Sequence, residues 1–325
     1  METSRNQLCS CGLGFRRKHC CDAASPEAST ESTNKLQWLA VAADDEGLAL
    51  GEDPRQRAFK NVLRLLQRLG IEGVPIVGEG APTIVKRIHA VNERLFRPKD
   101  MQEGGIHLGF FMFRDLFARL YVPIIFGAPE VDFVKLLDLS DDQKAWMGDD
   151  DEAIRRFEDQ SLDLFDFGYG YMEFGHTREV HEEAKNLIYR SHVYLEAAAA
   201  TATSAFDFRG TVQSALLGAE LALKAGLASN GIDEKTLRNR FGHDLKKAAL
   251  ELGRLELNFD ADRVCRAVSD FPHFAQSRYN GLIPTRIETG HILMKAQYVA
   301  SEVTRTFTDR DIRTSNQTRP RAYPA

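Results

Sequence analysis

The sequence has no apolar run that approaches the roughly 18–20 residues of a membrane-spanning helix. It also lacks a basic excess. Lys and Arg number 42 against 47 Asp and Glu, which argues against a chain that binds nucleic acid over its whole surface. No secretory signal pattern stands at the N-terminus, and no internal repeat is present. These absences predict a soluble, cytoplasmic protein.

Cysteine is scarce and unevenly placed, since four of the five cysteines lie within the first 21 residues. They read C-x-C, eight residues, then C-C: Cys9, Cys11, Cys20 and Cys21. Two close pairs of soft ligands can enclose one Zn²⁺ in a tetrahedral thiolate shell. A segment this short cannot bury a core, so the metal would supply its folding free energy, typically about 10–16 kcal/mol. The alternatives are two disulfides, for which each close pair has poor geometry, or a disordered leader.

The same run resembles the SEC-C motif, a zinc-binding family whose pattern is roughly C-P-C-G-S-G-x-x-aromatic-K-x-C-(Cys/His). The positions that match are Cys9, Cys11, Gly12, Gly14, Lys18, Cys20 and Cys21. The positions that depart from it are Ser10, Leu13 and Arg17, where the family usually has Pro, Ser and an aromatic residue. The resemblance implies one structural zinc on the four cysteines. His19 could replace either late cysteine. A protein partner or a ribosomal surface is the expected target of such a knuckle.

Composition and periodicity predict a mostly α protein: a small zinc knuckle (1–22) tethered to an all-helical body. Residues 23–57, rich in Ala, Ser, Thr and acidic residues, predict a flexible linker. A knuckle on such a tether is expected to add little to the stability of the body. Residues 58–175 predict a helical region of unknown type, and residues 307–325 a disordered basic tail.

Two segments within residues 58–175 allow more than one interpretation. The aromatic stretch Leu108–Leu120 is most simply core, with a base-stacking platform as the alternative. Asp149–Phe165 predicts an amphipathic helix with a solvated acidic face rather than a metal site. Gly168-Tyr169-Gly170-Tyr171 is expected to end that helical pattern.

Residues 176–306 predict long helices over Arg178–Ser204, Thr211–Ala228 and Thr236–Leu255, and a last one from Pro284 to Arg305. The order of these helices, with Gly242-His243-Asp244-Leu245 at the third and Arg278-Tyr279 before the last, resembles a HEPN-type helical bundle. An unrelated all-helical bundle would show the same helix spacing.

In the ribonuclease branch of that family, an Arg precedes a His by a gap of four to six residues. Arg238 and His243 fit this pattern. The resemblance implies that His243 moves a proton and that Arg238 stabilises negative charge on the phosphate, without a metal. The alternative is a structural role, in which His243 and Asp244 support packing at a helix start.

Two functions therefore remain open. The first is a zinc-binding protein whose knuckle binds a partner and whose helical body carries a second recognition face. The second is a metal-independent HEPN-type ribonuclease that uses Arg238 and His243, binds RNA through a local basic patch and faces a second copy in a homodimer.

Overall fold

A computed structural model describes residues 7–9, 12–16, 20, 26–76, 78, 80–96, 105–125, 130–273, 284–316 and 319–324. Cys11, His19 and Cys21 lie outside these residues. The chain divides into unit 1 (Met1–Gly104) and unit 2 (Gly105–Ala325), and each unit has its own hydrophobic core. Most described residues are helical, as predicted. Within the described residues, no helix combines the length and apolarity that a bilayer crossing requires.

The helices described in unit 1 are α1 (Pro26–Ala49), α2 (Pro54–Arg68) and α3 (Thr83–Leu95). Asp53 begins α2, because its side chain accepts from the Gln56 N–H while the Gln56 side chain accepts from the Asp53 N–H. Each helix contacts the other two, and the side chains between them are apolar.

The predicted linker differs from the structure, since most of residues 23–57 forms α1. Its inner face carries Leu36, Ala40 and Ala43, which are fully buried. Arg57 of α2 donates to Asp44 at 2.8 Å, which adds an ion pair between the helices. Small residues at helix spacing make a close-packed face, although their composition is also typical of linkers.

Unit 2 combines a two-stranded sheet with a helical bundle. The strands β1 (Gly105–Phe113) and β2 (Leu116–Pro123) are antiparallel. The helices are α4 (Asp141–Gly148), α5 (Asp151–Glu173), α6 (Glu182–Ala202), α7 (Arg209–Ser229), α8 (Leu245–Leu255), α9 (Ala261–Ala267), α10 (Arg286–Phe307) and α11 (Ile312–Asn316). The long helices α5, α6, α7 and α10 pack on one another, and β1 contacts α5, α6 and α10.

The aromatic stretch is core, as predicted, but it forms a hairpin rather than part of an all-helical region. Phe110, Phe111 and Phe113 are buried in β1. Gln297 of α10 fixes this strand, because its side chain accepts from the Phe110 N–H at 2.8 Å and donates to the Phe110 carbonyl at 2.9 Å. A short apolar run fits a strand or a helix equally, and the run alone does not choose between them.

Helix α5 continues through the two glycines that were expected to end it. A Cβ at Gly170 would overlap the methyl group of Thr304 on α10. The glycine therefore permits a close helix–helix approach, which is a packing role rather than a break.

The predicted acidic face is solvated at Asp151 and Glu152, but its later carboxylates meet the predicted basic tail in unit 2 instead of solvent. Asp159 and Asp163 of α5 are fully buried. Arg321 donates to Asp163 at 2.8 Å, Arg313 donates to Asp159, and the Ala322 N–H reaches Asp159 at 2.6 Å. The described part of residues 307–325 is therefore ordered by ion pairs, because buried carboxylates require nearby cations.

The predicted bundle helices agree with α6, α7 and α10 in position. The third predicted helix does not run unbroken. One turn at Glu234–Thr236 leads into π-helical Leu237–Phe241, and α8 begins only at Leu245. Gly242 has a φ of 54° and changes the chain direction there.

Candidate functional site

Residues 7–9 and 12–16 are described at the predicted zinc knuckle. Leu8 and Arg16 make an antiparallel bridge, and the Cys9 N–H donates to the Phe15 carbonyl at 2.8 Å. Gly12 and Gly14 have φ values of 77° and 78°, which favour glycine. These contacts hold Cys9 beside the backbone of Phe15.

The described cysteines of the knuckle lie inside unit 1 and not on a tether. Cys9, Leu13 and Cys20 belong to the same buried cluster as the inner face of α1. Lys35 of α1 donates to the Leu13 carbonyl at 2.6 Å, and Arg87 of α3 lies with Nη1 3.6 Å from the Cys20 Sγ. A guanidinium beside sulfur suits a thiolate. Cys9 and Cys20 thus lie in one buried cluster, and Cys11, Cys21 and His19 are outside the described residues.

Arg238 and His243, the predicted catalytic pair, are both exposed, His243 with 47% of its side chain accessible. Its Nδ1 lies 2.7 Å from Glu220 Oε2 on α7. Glu220 is buried and also accepts from Lys224 at 2.6 Å. Because a carboxylate only accepts, Nδ1 carries the proton and the lone pair of the neutral ring is on Nε2.

Asp244 has the structural role that the alternative interpretation gave it. It is the N-cap of α8 and accepts from the Lys247 N–H at 3.0 Å. Glu220 and Lys224 are i, i+4 neighbours on α7 and form an ion pair. Its contact with His243, 23 residues further along the chain, has no local sequence signal.

A second group of ligand-type side chains joins β1 to α6 in unit 2. His107, His192 and Glu196 place one ligand atom each within 4.8 Å of one another. Glu196 Oε1 lies 3.4 Å from His192 Nε2 and 3.8 Å from His107 Nδ1. The same oxygen accepts from the Leu108 N–H at 2.8 Å, which fixes the carboxylate.

Both histidines of this cluster are held neutral. Burial lowers the pKa of His107 well below its usual range, and the neighbouring His192 lowers it further. Burial also lowers the pKa of His192, although Glu196 opposes that shift. Among the described residues, both ring nitrogens of His107 and the Nδ1 of His192 are buried without a hydrogen-bond partner.

No motif in the sequence singles out His107 or His192 as a ligand. The available signal was the spacing of His192 and Glu196, because residues at i and i+4 share a helix face. His107 comes from a strand 85 residues earlier, so only the fold brings it to them.

An open pocket of about 450 Å³ lies beside the cluster, and its lining is Tyr171, Met172, Phe174, His176, Lys185, Asn186 and Tyr189. The Tyr171 ring stacks on His192 with centroids 3.9 Å apart. Aromatic rings thus separate the histidines from this pocket.

Comparison of the chain with family models, with curated proteins and with solved structures gives no match in any of the three.

Proposed function

We propose that this chain is a zinc-binding protein in which Cys9, Cys11, Cys20 and Cys21 hold a structural Zn²⁺, and unit 1 binds a protein partner. The observation that supports the zinc is the burial of Cys9 and Cys20 in one core cluster, with Arg87 donating toward the Cys20 sulfur. Buried thiolates need a cation, and four of them leave no open position on the metal.

The outer face of α1 supports partner binding. Trp38, Val41 and Leu48 are exposed, Trp38 to 70%, and they share one side of the helix. The opposite side is the buried one that packs on α2 and α3. An exposed apolar stripe with an aromatic residue is typical of protein recognition surfaces.

The zinc is tested by elemental analysis of the purified chain with and without Cys9→Ser, because His19 could replace Cys20 or Cys21 but not Cys9. The wild-type chain should carry one zinc ion at the knuckle cysteines, and the variant should contain one zinc ion fewer per chain. Cys265→Ser in unit 2 is the matched control and should keep it. A folded, reduced wild-type protein without zinc at the cysteines would contradict the proposal.

The partner surface is tested with Trp38→Ser and Val41→Ser together. The double variant should keep its zinc and its helical content and lose its captured partner, because only exposed side chains change. Phe206→Ser replaces another exposed aromatic residue, in unit 2, and should bind normally. Co-sedimentation with ribosomes distinguishes a ribosomal surface from a free protein, and equal binding by both variants would contradict the proposed face.

A metal-independent HEPN-type ribonuclease is the second candidate, and the contact between His243 and Glu220 favours it. A buried carboxylate on Nδ1 orients the ring and puts the lone pair on Nε2, the atom that would accept a proton from a ribose 2′-OH. Arg238, also exposed, would stabilise the charge that builds on the phosphate.

Ribonuclease activity is tested on several RNAs with His243→Ala, Arg238→Ala and Glu220→Gln. The first two should remove cleavage, and the third should reduce it, since the amide keeps the contact but loses the charge. Cleavage should survive chelators and fall as salt rises. His181→Ala is the histidine control. Wild-type protein that cleaves none of the RNAs would retire this candidate.

A further inference from the structure

We infer that His107, His192 and Glu196 form a second metal site, in unit 2, for a divalent transition-metal ion of the zinc class. The site is independent of the cysteine knuckle, because its ligands come from β1 and α6. It needs no residue of unit 1.

The state of His107 points to a bound ligand. Its side chain is fully buried, yet neither ring nitrogen has a hydrogen-bond partner among the described residues. Buried polar atoms are nearly always satisfied, so an unpaired buried imidazole calls for an occupant that accepts its lone pair. The atoms that face it from neighbouring elements are the Glu196 carboxylate and the His192 ring.

The distances fit a small cation. Zinc bonds of about 2.0–2.1 Å to nitrogen and oxygen in a tetrahedral arrangement place ligand atoms roughly 3.3–3.5 Å apart. The two contacts to Glu196 measure 3.4 and 3.8 Å, and the whole set lies within 4.8 Å. Small side-chain rotations would therefore bring the three ligand atoms to the separations expected around one zinc ion.

The surroundings already orient Glu196 as an outer shell would, whereas His192 must change tautomer in order to coordinate. The Leu108 N–H donates to Glu196 and holds one carboxylate oxygen toward both rings. The His192 Nε2 lies 3.2 Å from the Ile106 carbonyl, a contact in which the nitrogen donates its proton. Metal binding requires His192 to carry that proton on Nδ1 instead, leaving Nε2 to coordinate.

The donor set selects the class of metal. Two neutral imidazoles and one carboxylate suit zinc and its neighbours, whereas Mg²⁺ and Ca²⁺ prefer oxygen ligands alone. Three protein ligands leave at least one position for water or a small anion. Phe167, edge-on to His107 at 5.1 Å, and Tyr171 form apolar walls around it.

The test measures metal content in the full chain by multi-element mass spectrometry. Glu196→Gln should lose one metal ion per chain relative to wild type, because the amide still accepts from Leu108 but no longer offers an anionic ligand. His181→Ala, at the start of the same helix, should keep the wild-type content. The Cys9→Ser chain should retain one ion, which separates this site from the knuckle.

A second variant covers the case in which Glu196→Gln folds poorly. His107→Phe places an aromatic ring against Phe167 and should fold while losing the ion. Titration of the Cys9→Ser chain with Co²⁺ should give visible absorption without thiolate charge-transfer bands, and Glu196→Gln in that background should remove it. Unchanged metal content in both variants, or a cluster that takes up neither Zn²⁺ nor Co²⁺ and holds only water, would overturn the inference.

Discussion

Asp163, a buried carboxylate of α5, holds two arginine side chains in one ion-pair network. Asp163 is inaccessible and accepts from Arg305 at 3.1 Å and from Arg321 at 2.8 Å. Both guanidinium groups are nearly buried as well. Removing one member of such a network leaves charges without compensation in a medium that solvates them poorly.

Asp163→Ala should therefore lower the free energy of unfolding by about 3–5 kcal/mol, measured by urea denaturation. Glu152→Ala on the same helix is the matched control. Glu152 is exposed and pairs with Arg156 at 2.9 Å, so its loss should change stability by less than about 1 kcal/mol. Equal, small effects of the two substitutions would contradict a buried network.

The ionisation of Glu52 makes the stability of unit 1 depend on pH. Hydrogen bonds from Arg64 and then Lys60 lower the pKa of this carboxyl to about 2 from 4.5. Because the pKa is lower in the folded state, the ionised carboxylate stabilises the fold fully above pH 4.5, and this stabilisation is lost as pH falls toward 2. Glu52→Gln should thus be less stable than wild type at pH 7, and the difference should shrink below pH 4.5.

Chemical denaturation at pH 7, 4.5 and 3 checks this expectation, with Glu72→Gln as an exposed control in the same unit. A difference between Glu52→Gln and wild type that stays constant from pH 7 to 3 would show that the ionised pair does not stabilise unit 1.

At the scale of elements, helix spacing was sufficient for α6, α7 and α10, because each carries a continuous apolar stripe. It was not sufficient for α1, whose alanines also suit a linker, or for the hairpin, whose aromatic run also suits a helix. The ordered tail could not be predicted locally, since Arg313 and Arg321 find their partners more than 150 residues earlier. The His107 cluster could not be predicted locally either, since His107 lies 85 residues before His192.

The packing of α5 on α10 predicts an unusual response to alanine. Gly170→Ala should destabilise the protein by about 1–3 kcal/mol, although alanine favours a helix, because its methyl group overlaps Thr304. Gly210→Ala in the first turn of α7 meets its nearest neighbour, the Thr201 methyl, at 3.9 Å and should be neutral or stabilising. The melting temperatures of the two variants are compared with that of wild type. A higher melting temperature for Gly170→Ala would rule out the close approach of α5 to α10.

At the scale of the whole molecule, the two hydrophobic clusters share no residue, and one tryptophan lies in each unit. Trp146 of α4 packs edge-on against Phe113 at 5.2 Å and reports on unit 2. Because Cys9, Leu13 and Cys20 belong to the core of unit 1, the knuckle is expected to stabilise that unit. This reverses the expectation for a tethered module.

Calorimetry should accordingly resolve two unfolding transitions. Leu65 in unit 1 and Leu293 in unit 2 are both fully buried. Leu65→Ala should lower the stability of unit 1 only, and Leu293→Ala that of unit 2 only, each by about 2–5 kcal/mol of unfolding free energy. Cys9→Ser should lower the same transition temperature that Leu65→Ala lowers and leave the Trp146 emission midpoint unchanged. Metal ligation contributes folding free energy only to the core that contains it. A single transition lowered by all three substitutions would mean that the two cores unfold as one.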